Sequence, residues 1–250
     1  KVEGSAGLSV KINNNKVENV QFEIKEYKRF FTEAMKGKPV VALPQLLSRI
    51  CGTCSNAHIL CSIEACEDAL GIQPSTQTVL LRHLTMYGLN IRDHALHLYL
   101  FVSPDLYNKN SFLDLDENDP LQHQALHDAF EIKAVGNYLA TIIAGRSVHA
   151  TAPMIGGFIK YPTREEILQA VQKLEAIRPA VLRCIEIFTN APWYFDRETN
   201  YMALLPKEHY GFLNGAITSS LGYTIPEKDY REHLEYVVLP YSQASAYKYK

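Results

Sequence analysis

Residues 49–58 concentrate the residue types most able to do chemistry in this 250-residue chain. Cys51 and Cys54 are separated by two residues, one of them Gly52, and His58 follows four positions after the second cysteine. Gly52 lacks a Cβ and permits a tight backbone turn between the cysteines. A C-x-x-C pair directs two thiolates to one metal ion or forms one disulfide. His58, on the first turn of a predicted helix, is placed to donate a ring N–H to a cysteine sulfur.

Three kinds of site fit this pair on its residues alone. A structural zinc site needs four ligands, and His58, Cys61 or Cys66 would have to supply the other two. Cys61 and Cys66, five positions apart on a predicted helix, are separated by about 140° around the axis and do not converge naturally with the pair. A thiol–disulfide redox pair is favoured by a helix start, which lowers a thiol pKa, but the expected βαβ context is missing. A catalytic site for a soft metal such as nickel or iron needs further ligands from elsewhere.

The composition excludes several classes of partner. A net charge of -2 and a pI near 6.5 give no electrostatic case for nucleic acid or an anionic membrane. No apolar run reaches the length of a membrane span, so no direct membrane insertion is expected. Five unevenly spaced cysteines do not resemble a disulfide framework and favour a reducing compartment, the cytoplasm. The chain begins with Lys1 and stops at Lys250 without a closing element, so we expect a longer polypeptide.

Hydrophobic periodicity predicts a mainly α fold, a long-helix bundle with small β portions at the N-terminus and near the C-terminal end. We expect one domain, with a β-hairpin in 1–25, a helical core in 26–190 and mixed strands and loops in 191–250. The hairpin is predicted from apolar–polar alternation on both sides of Asn13–Asn15, because asparagine tolerates the positive φ of a tight turn.

Proline, glycine and capping residues set the predicted bounds of the other elements. Gly71 fits a C-cap, Pro104 is expected to end a long helix, and the acidic residues 114–119 are expected to form a solvated surface loop. The predicted helices are about 28–36, a short one before the cysteine pair, 58–70, 75–102, 120–144 and 162–190, and the predicted strands include 216–220 and 223–225.

Four segments together resemble one protein family. Arg-x-Cys-Gly-x-Cys-x-x-x-His, residues 49–58, resembles the first metal-binding signature of the nickel–iron hydrogenase large subunit. In the same order as in that family, Val-Glu-Gly at 2–4 resembles its opening motif, 92–97 its Asp-His-x-x-His helix, and 145–157 its Gly-x-x-x-His…Gly-Gly loop. The region 235–249 is similar to cytosolic, cofactor-linked members. The chain is thus identified as resembling the N-terminal part of that subunit.

The resemblance implies a Ni–Fe(CO)(CN)2 centre. Cys51 would be a terminal nickel ligand, and Cys54 would bridge nickel to an iron that carries CO and cyanide. Hydrogen would be split heterolytically, with the proton passing to a terminal cysteine thiolate and then to Glu3. A carboxylate can act as such a relay when its pKa lies near the working pH.

The resemblance also implies supporting residues. His58 would hydrogen-bond the bridging sulfur, and Arg49 would place positive charge near an electron-rich centre. His149 would lie against the cofactor or hold its loop in place. Glu33 would help to bind a Mg²⁺ ion, although it stands one position later than the family's magnesium-binding glutamate.

Two departures from the family pattern matter. The second signature, Asp-Pro-Cys-x-x-Cys-x-x-His, which supplies the other two nickel ligands, is absent, and Cys184 in a helical pattern does not replace it. Two thiolates leave nickel incompletely coordinated, so the missing ligands are expected from sequence outside these residues. Ser5 stands where the family has histidine.

The resemblance implies a nickel–iron hydrogenase that catalyses reversible cleavage of H2 to protons and electrons. The chain has no four-cysteine framework for iron–sulfur clusters, so an iron–sulfur small subunit is expected, with flavin-containing, diaphorase-type partners passing electrons to NAD(P), a deazaflavin or ferredoxin. Two alternatives remain at this point. One is a non-catalytic scaffold or electron-transfer subunit like that of respiratory complex I, and the other is a zinc-stabilised interaction domain.

Overall fold

The structure, a computed structural model, describes residues 4–26, 30–206 and 213–249. The chain divides into two compact units. The helical unit comprises residues 31–195, and the sheet unit comprises residues 1–30 together with 196–250. The mainly α architecture, with small antiparallel sheets at the N-terminus and near the C-terminal end, confirms the predicted fold class.

The helical unit is built from helices connected by short turns. It also contains three 3₁₀ turns, at Val40–Ala42, Ser48–Ile50 and Phe112–Asp114. A short antiparallel ladder pairs β3 (Pro153–Met154) with β4 (Gly157–Phe158). The helices are α1 (Phe31–Met35), α2 (Leu43–Leu47), α3 (Ser55–Leu70), α4 (Thr76–Ala95), α5 (Ser103–Leu106), α6 (Pro120–Ala144) and α7 (Arg164–Thr189).

The cores of this unit lie along α6. One cluster joins Tyr99 and Phe112 to the middle of α6 and to Ile177 and Cys184 of α7. A second cluster joins α4 to the C-terminal half of α6, with Ile143 and neighbouring apolar side chains completely buried. Each large apolar side chain buried in this way stabilises the fold by roughly 1.5–3 kcal/mol, so α6 is held along most of its length.

Helices α4 and α6 cross at backbone contact distance. A Cβ atom added to Gly88 of α4 would lie 2.7 Å from the backbone nitrogen of Ala140. A Cβ added to Gly136 of α6 would lie 2.6 Å from the backbone nitrogen of Arg92. Glycine on both helices therefore permits the crossing and places the backbone of Arg92 directly against α6.

The helical run after α4 differs from the prediction. Leu96–Val102 form a π-helix in which the Ser103 N–H bonds to the Leu98 carbonyl five residues back, and α5 follows directly. The run ends at Leu106, so the prediction that Pro104 ends the helix was wrong. Pro104 lies in the first turn of α5, where its missing N–H leaves no intrahelical bond unmade.

Capping residues fix the ends of the other long helices. Gly71 takes φ +68° after α3, as predicted, and Gly145 takes φ +81° after α6. Asp119 caps α6 by accepting hydrogen bonds from the N–H groups of Leu121 and Gln122. The rest of the acidic segment is exposed as expected, except that Leu115 is buried in the core.

The sheet unit contains small antiparallel sheets. β1 (Ala6–Asn13) and β2 (Lys16–Ile24) form the predicted hairpin, with Asn14 and Asn15 at φ +48° and +58° in the turn. β5 (Met202–Leu205), β6 (Ala216–Ser219) and β7 (Thr224–Pro226) form a second sheet in that order, and β8 (Leu234–Val238) pairs with β9 (Ser245–Tyr249) after the short helix α8 (Tyr230–His233). The Gln243 N–H donates to the Ile24 carbonyl oxygen at 2.9 Å. None of the described helices combines the length and hydropathy needed to cross a membrane.

Candidate metal centre

The two cysteines occupy the connection between the Ser48–Ile50 turn and α3. Cys51 is extended (φ −149°, ψ 143°), and Cys54 is the N-cap of α3. The Cys54 carbonyl accepts hydrogen bonds from the backbone N–H groups of Ala57 (3.0 Å) and His58 (3.2 Å). Gly52 has no positive φ, and a Cβ added to it would meet no atom within 4 Å. The close placement of the cysteines therefore comes from the start of α3 rather than from a strained glycine turn.

The two thiols are free, partly buried and coupled to each other. Burial alone would raise the pKa of the Cys51 thiol, but hydrogen bonds from the Cys54 backbone, the Thr53 hydroxyl (3.1 Å) and the Cys54 thiol outweigh it and lower that pKa below its ordinary value. Burial and the hydrogen bond and charge of Cys51 raise the pKa of Cys54 to about 12. The two sulfurs therefore lie close enough to affect each other's protonation, and a soft cation bound by both would displace their protons.

Arg92 of α4 ties the cysteine loop to two other parts of the helical unit. Its side chain is buried. Its guanidinium donates to the carbonyl oxygen of Thr53, between the cysteines, and to that of Ser147 (2.6 Å), while Nε donates to Asp93 (2.9 Å). The planar fork of arginine suits such simultaneous donation to several acceptors.

Buried polar side chains at the start of α3 hold the loop that follows α6. The Asn56 amide donates to the Ser147 carbonyl (3.2 Å) and accepts from the Ala150 N–H (3.3 Å). The Ser55 hydroxyl accepts from the His149 N–H at 2.8 Å. These three bonds join the first turn of α3 to residues about ninety positions later in the chain.

His149 is held in a fixed orientation. Its backbone takes φ +54°, a conformation uncommon for a residue with a side chain. Its Nδ1 lies 3.0 Å from the Ser48 carbonyl oxygen, which can only accept, so Nδ1 is the donor in this hydrogen bond. The Gln45 amide donates to the Ala150 carbonyl at 2.8 Å. The loop is therefore fixed both at the 3₁₀ turn before Cys51 and at α3 after Cys54.

A buried ion pair fixes the Gly-Gly part of the same loop. Arg82 of α4 donates to both carboxylate oxygens of Glu67 in α3, at 2.8 and 2.5 Å, and both side chains are almost completely buried. Glu67 also accepts from the Gly156 N–H at 2.6 Å. Breaking such a buried pair from one side costs about 3–5 kcal/mol, so α3, α4 and the loop 145–157 behave as one block.

The residues predicted to support the site are not all brought to it. His58 lies on the first turn of α3, where burial lowers its pKa, but its ring makes no hydrogen bond to either thiol among the described residues. Arg49 is exposed. Glu33 is exposed on α1 and pairs with Lys36 at 2.7 Å. Glu3 lies outside the described residues.

The cysteine pair is an incomplete donor set within the described part of the chain. No group of three or more histidine, cysteine, aspartate or glutamate side chains in residues 4–26, 30–206 and 213–249 comes together in a way that would hold a metal ion. Cys66 and Cys184 are buried in the helical unit, and Cys61 is exposed. The four-ligand zinc site built from Cys61 or Cys66 is therefore not formed.

Comparisons with known proteins show similarity to hydrogenases. The family model for nickel-dependent hydrogenases matches residues 29–127. The sulfhydrogenase 1 alpha subunit of Pyrococcus furiosus is 30% identical over 253 residues, which cover all of this chain and 58% of that protein. The sulfhydrogenase 2 alpha subunit of the same organism is 33% identical over 190 residues, 76% of this chain and 45% of that protein.

Solved structures show the same fold. An NAD+-reducing [NiFe]-hydrogenase in the H2-reduced state superposes with a TM-score of 0.84 at 23% identity, over 100% of this chain and 60% of that chain. The Ni-Fe-Se hydrogenase of D. vulgaris Hildenborough gives a TM-score of 0.76 at 18% identity, over 99% of this chain and 61% of that chain.

These matches show that the chain is similar to the nickel-dependent hydrogenases, as its motifs had indicated. It is related to the alpha, or large, subunits of that family. It spans about half of the length of the two sulfhydrogenase subunits.

Proposed function

We propose that this chain is the N-terminal part of the catalytic subunit of a nickel–iron hydrogenase, which reversibly cleaves H2 into protons and electrons. The observation that carries the proposal is the pair of free, partly buried thiols at Cys51 and Cys54, in a loop whose backbone is held by Arg92. The similarity to the nickel-dependent hydrogenases supports it, because the related proteins are named hydrogenase subunits.

The donor set fits the metal centre that the family name implies. Thiolates select soft metals such as nickel and iron over magnesium or calcium. Cys51 and Cys54 would each contribute one sulfur, and further ligands must complete the centre because two sulfurs do not. When bound, a nickel–iron centre supplies the electron-rich site at which H2 is polarised and its electrons are taken up.

The residues of the chain would position the sulfurs and move the proton. The Cys51 sulfur, whose pKa is lowered by hydrogen bonds that include the one with the Thr53 hydroxyl, would lose its proton more readily than an ordinary thiol when it acts as a ligand. Arg92 holds the Thr53 carbonyl, so the backbone between the two cysteines cannot shift without breaking this hydrogen bond. In this proposal Glu3 relays the proton outward from a cysteine sulfur, and His149 supports the loop beside the centre.

The cysteines of the chain bear on its partner subunits and on its cellular location. The five cysteines do not provide a cluster framework, so an iron–sulfur small subunit would receive the electrons. A flavin- and cluster-containing diaphorase-type partner is proposed by analogy with the NAD+-reducing relative. Unpaired thiols in all five positions support a reducing compartment, the cytoplasm. A Mg²⁺ site at Glu33 would require Glu33 to exchange its contact with Lys36 for the ion.

Metal content of the purified full-length protein tests this proposal. We expect nickel and iron, with infrared bands from bound CO and cyanide, and loss of nickel in both Cys51→Ser and Cys54→Ser. Cys61→Ser is the matched control, because Cys61 is an exposed thiol on the same helix and should leave the nickel content unchanged.

Two other results would contradict the proposal in different ways. Bound zinc without nickel or hydrogenase activity would indicate a zinc-stabilised interaction domain. A protein with neither metal nor infrared bands, assembled with membrane-complex partners, would indicate a complex-I-like scaffold subunit.

A further inference from the structure

The outer face of α6 carries two imidazoles one helical turn apart. His123 and His127 are both exposed, and their ring centroids lie 4.5 Å apart with an interplanar angle of 60°. Side chains four positions apart project from the same face of a helix. The two rings are therefore held side by side by the backbone rather than by a chance approach of distant segments.

The separation of the rings matches chelation of one ion. Two imidazoles bound at right angles to one metal, with metal–nitrogen bonds of about 2.0–2.1 Å, have ring centres about 4.5 Å apart, whereas a tetrahedral angle requires about 5.2 Å. A right angle between nitrogen ligands is typical of square-planar and octahedral Cu²⁺ and Ni²⁺. We propose that His123 and His127 form a bidentate surface site for a divalent transition-metal ion of this class, a site that involves neither Cys51 nor Cys54.

The helix that carries the pair is rigid at this point. Asp119 caps its first turn, one turn before His123. Ala125 and Ala129 are buried in the core on the opposite face. Asp128, next to His127, is buried and accepts two hydrogen bonds from Arg183 of α7, at 2.8 and 2.7 Å. Metal binding therefore needs to order two side chains and no backbone, which favours affinity.

The rest of the coordination shell is open to water. No third histidine, cysteine, aspartate or glutamate completes a metal-binding group within the described residues. Glu131 is exposed one further turn along the same face and adds a negative charge near the pair. The site thus presents two nitrogen ligands, an approach route from solvent and a favourable local charge.

Calorimetric titration of the full-length protein with Ni²⁺ tests the proposal. The parent carries Cys51→Ser, Cys54→Ser and Cys61→Ser, so that neither the cysteine pair nor the exposed thiol contributes. His123→Gln and His127→Gln are compared in it singly and together. Since the second imidazole binds intramolecularly once the first is in place, either single change should weaken Ni²⁺ binding by about ten-fold or more. The double variant should lose little beyond that, because one shared ion needs both rings.

His97→Gln is the matched control, an exposed helical histidine without a ring partner among the described contacts. It should leave the affinity and the number of bound ions unchanged. The proposal is overturned if either single variant keeps the parent affinity, if the two losses add as independent sites would, or if His97→Gln weakens binding equally. Paramagnetic broadening of both histidine NMR signals at one equivalent of Ni²⁺, and of neither in the single variants, would confirm that one ion bridges the pair.

Discussion

Arg92 connects three parts of the helical unit through one guanidinium. It donates to the loop between the cysteines, to the loop after α6 and to the neighbouring Asp93, and its own backbone lies against Gly136. Two of the acceptors are backbone carbonyl oxygens, of Thr53 and Ser147, so their positions are the positions of the loops themselves. At the scale of single residues, the placement of the two sulfurs thus depends on an arginine that is not itself a metal ligand.

Replacing Arg92 with glutamine should loosen the cysteine loop. The change removes charged donors from the Thr53 and Ser147 carbonyls and from the Asp93 carboxylate, so we expect about 3 kcal/mol lower free energy of unfolding. The specific result is faster labelling of Cys51 and Cys54 by a thiol reagent in native, metal-free protein. Arg92→Lys should restore only part of the protection, because an ammonium group lacks the planar fork.

Arg82→Gln provides the matched control for this experiment. It breaks another buried arginine pair in α4, with Glu67, and should cost similar stability without exposing Cys51. Equal labelling rates in the two variants would mean that Arg92 acts only through global stability.

The cysteines and His149 were predictable from the sequence, but the residues that position them were not. Cysteine pairs have a recognisable spacing, whereas Arg92 and Asn56 bind backbone carbonyls, and nearly any residue supplies a carbonyl. Their partners lie up to about ninety positions away, beyond any local pattern. The signal that existed was a charged and an amide side chain at apolar helical positions, which indicates a buried hydrogen-bonded group.

At the scale of elements, the crossing of α4 and α6 decides where Arg92 stands. Gly136→Ala should force the helices apart, since the new Cβ would lie 2.6 Å from the Arg92 nitrogen. Overpacking costs about 1–3 kcal/mol, more than the gain of about 1 kcal/mol expected from replacing glycine in an exposed helix. A lower urea midpoint together with faster thiol labelling is expected.

Thr141→Ala is the matched control, at an exposed position of the same helix, and should change the free energy of unfolding by less than about 0.5 kcal/mol. An unchanged urea midpoint in Gly136→Ala would show that the helix crossing relaxes freely.

The start of α7 should make stability depend on acid pH. The Thr163 N–H donates to Glu166 at 2.7 Å, and this bond lowers the pKa of Glu166. Burial opposes the bond, and the charge of Lys160 and the Thr163 hydroxyl add to the lowering. Because the folded pKa lies below the unfolded value of about 4.3, the stabilisation is complete above that pH and is lost as the pH falls through the folded pKa. The urea midpoint of Glu166→Gln should be lower than that of the parent at pH 7, and the difference should disappear as the pH falls below the folded pKa of Glu166. A constant difference between them would contradict this account.

Most elements followed from local sequence signals, and the exceptions have physical causes. The helix at Pro120–Ala144 begins at a proline and ends before a glycine, and these two residues were sufficient to predict its bounds. The π-helix at Leu96–Val102 was not predictable, because its apolar residues fit an α-helical pattern almost as well. The prediction for Pro104 was wrong because of this π-helix: α5 begins at Ser103, directly after it, and Pro104 therefore lies in the first turn of a new helix.

At the scale of the whole molecule, the two units differ in how much core they contain. The helical unit buries its large apolar side chains around α6, whereas the hairpin of β1 and β2 exposes Leu8, Val10, Ile12, Val17, Val20 and Phe22. Two-stranded sheets are marginally stable without packing on one face. The helical unit should therefore be the more resistant to unfolding.

Hydrogen exchange followed by mass spectrometry checks this difference. Peptides from β1, β2, β8 and β9 should lose protection at lower urea concentration than peptides from α4 and α6, because their backbone bonds lie in thin sheets. Loss of protection in both units at one urea concentration would show that they unfold as a single cooperative body.

The bonds that shape the cysteine loop also set a sequence of events during synthesis. Ser55, Asn56 and Gln45 are made early, but their partners at residues 147–150 emerge from the ribosome roughly a hundred residues later. Closing such long loops is slow relative to forming a helix. Until α6 is complete and the following loop has closed, the two cysteines are flexible thiols on an unfinished chain. Metal delivery is therefore expected to follow the closing of this loop, and a mutation that delays folding of α6 should lower metal occupancy without touching a ligand.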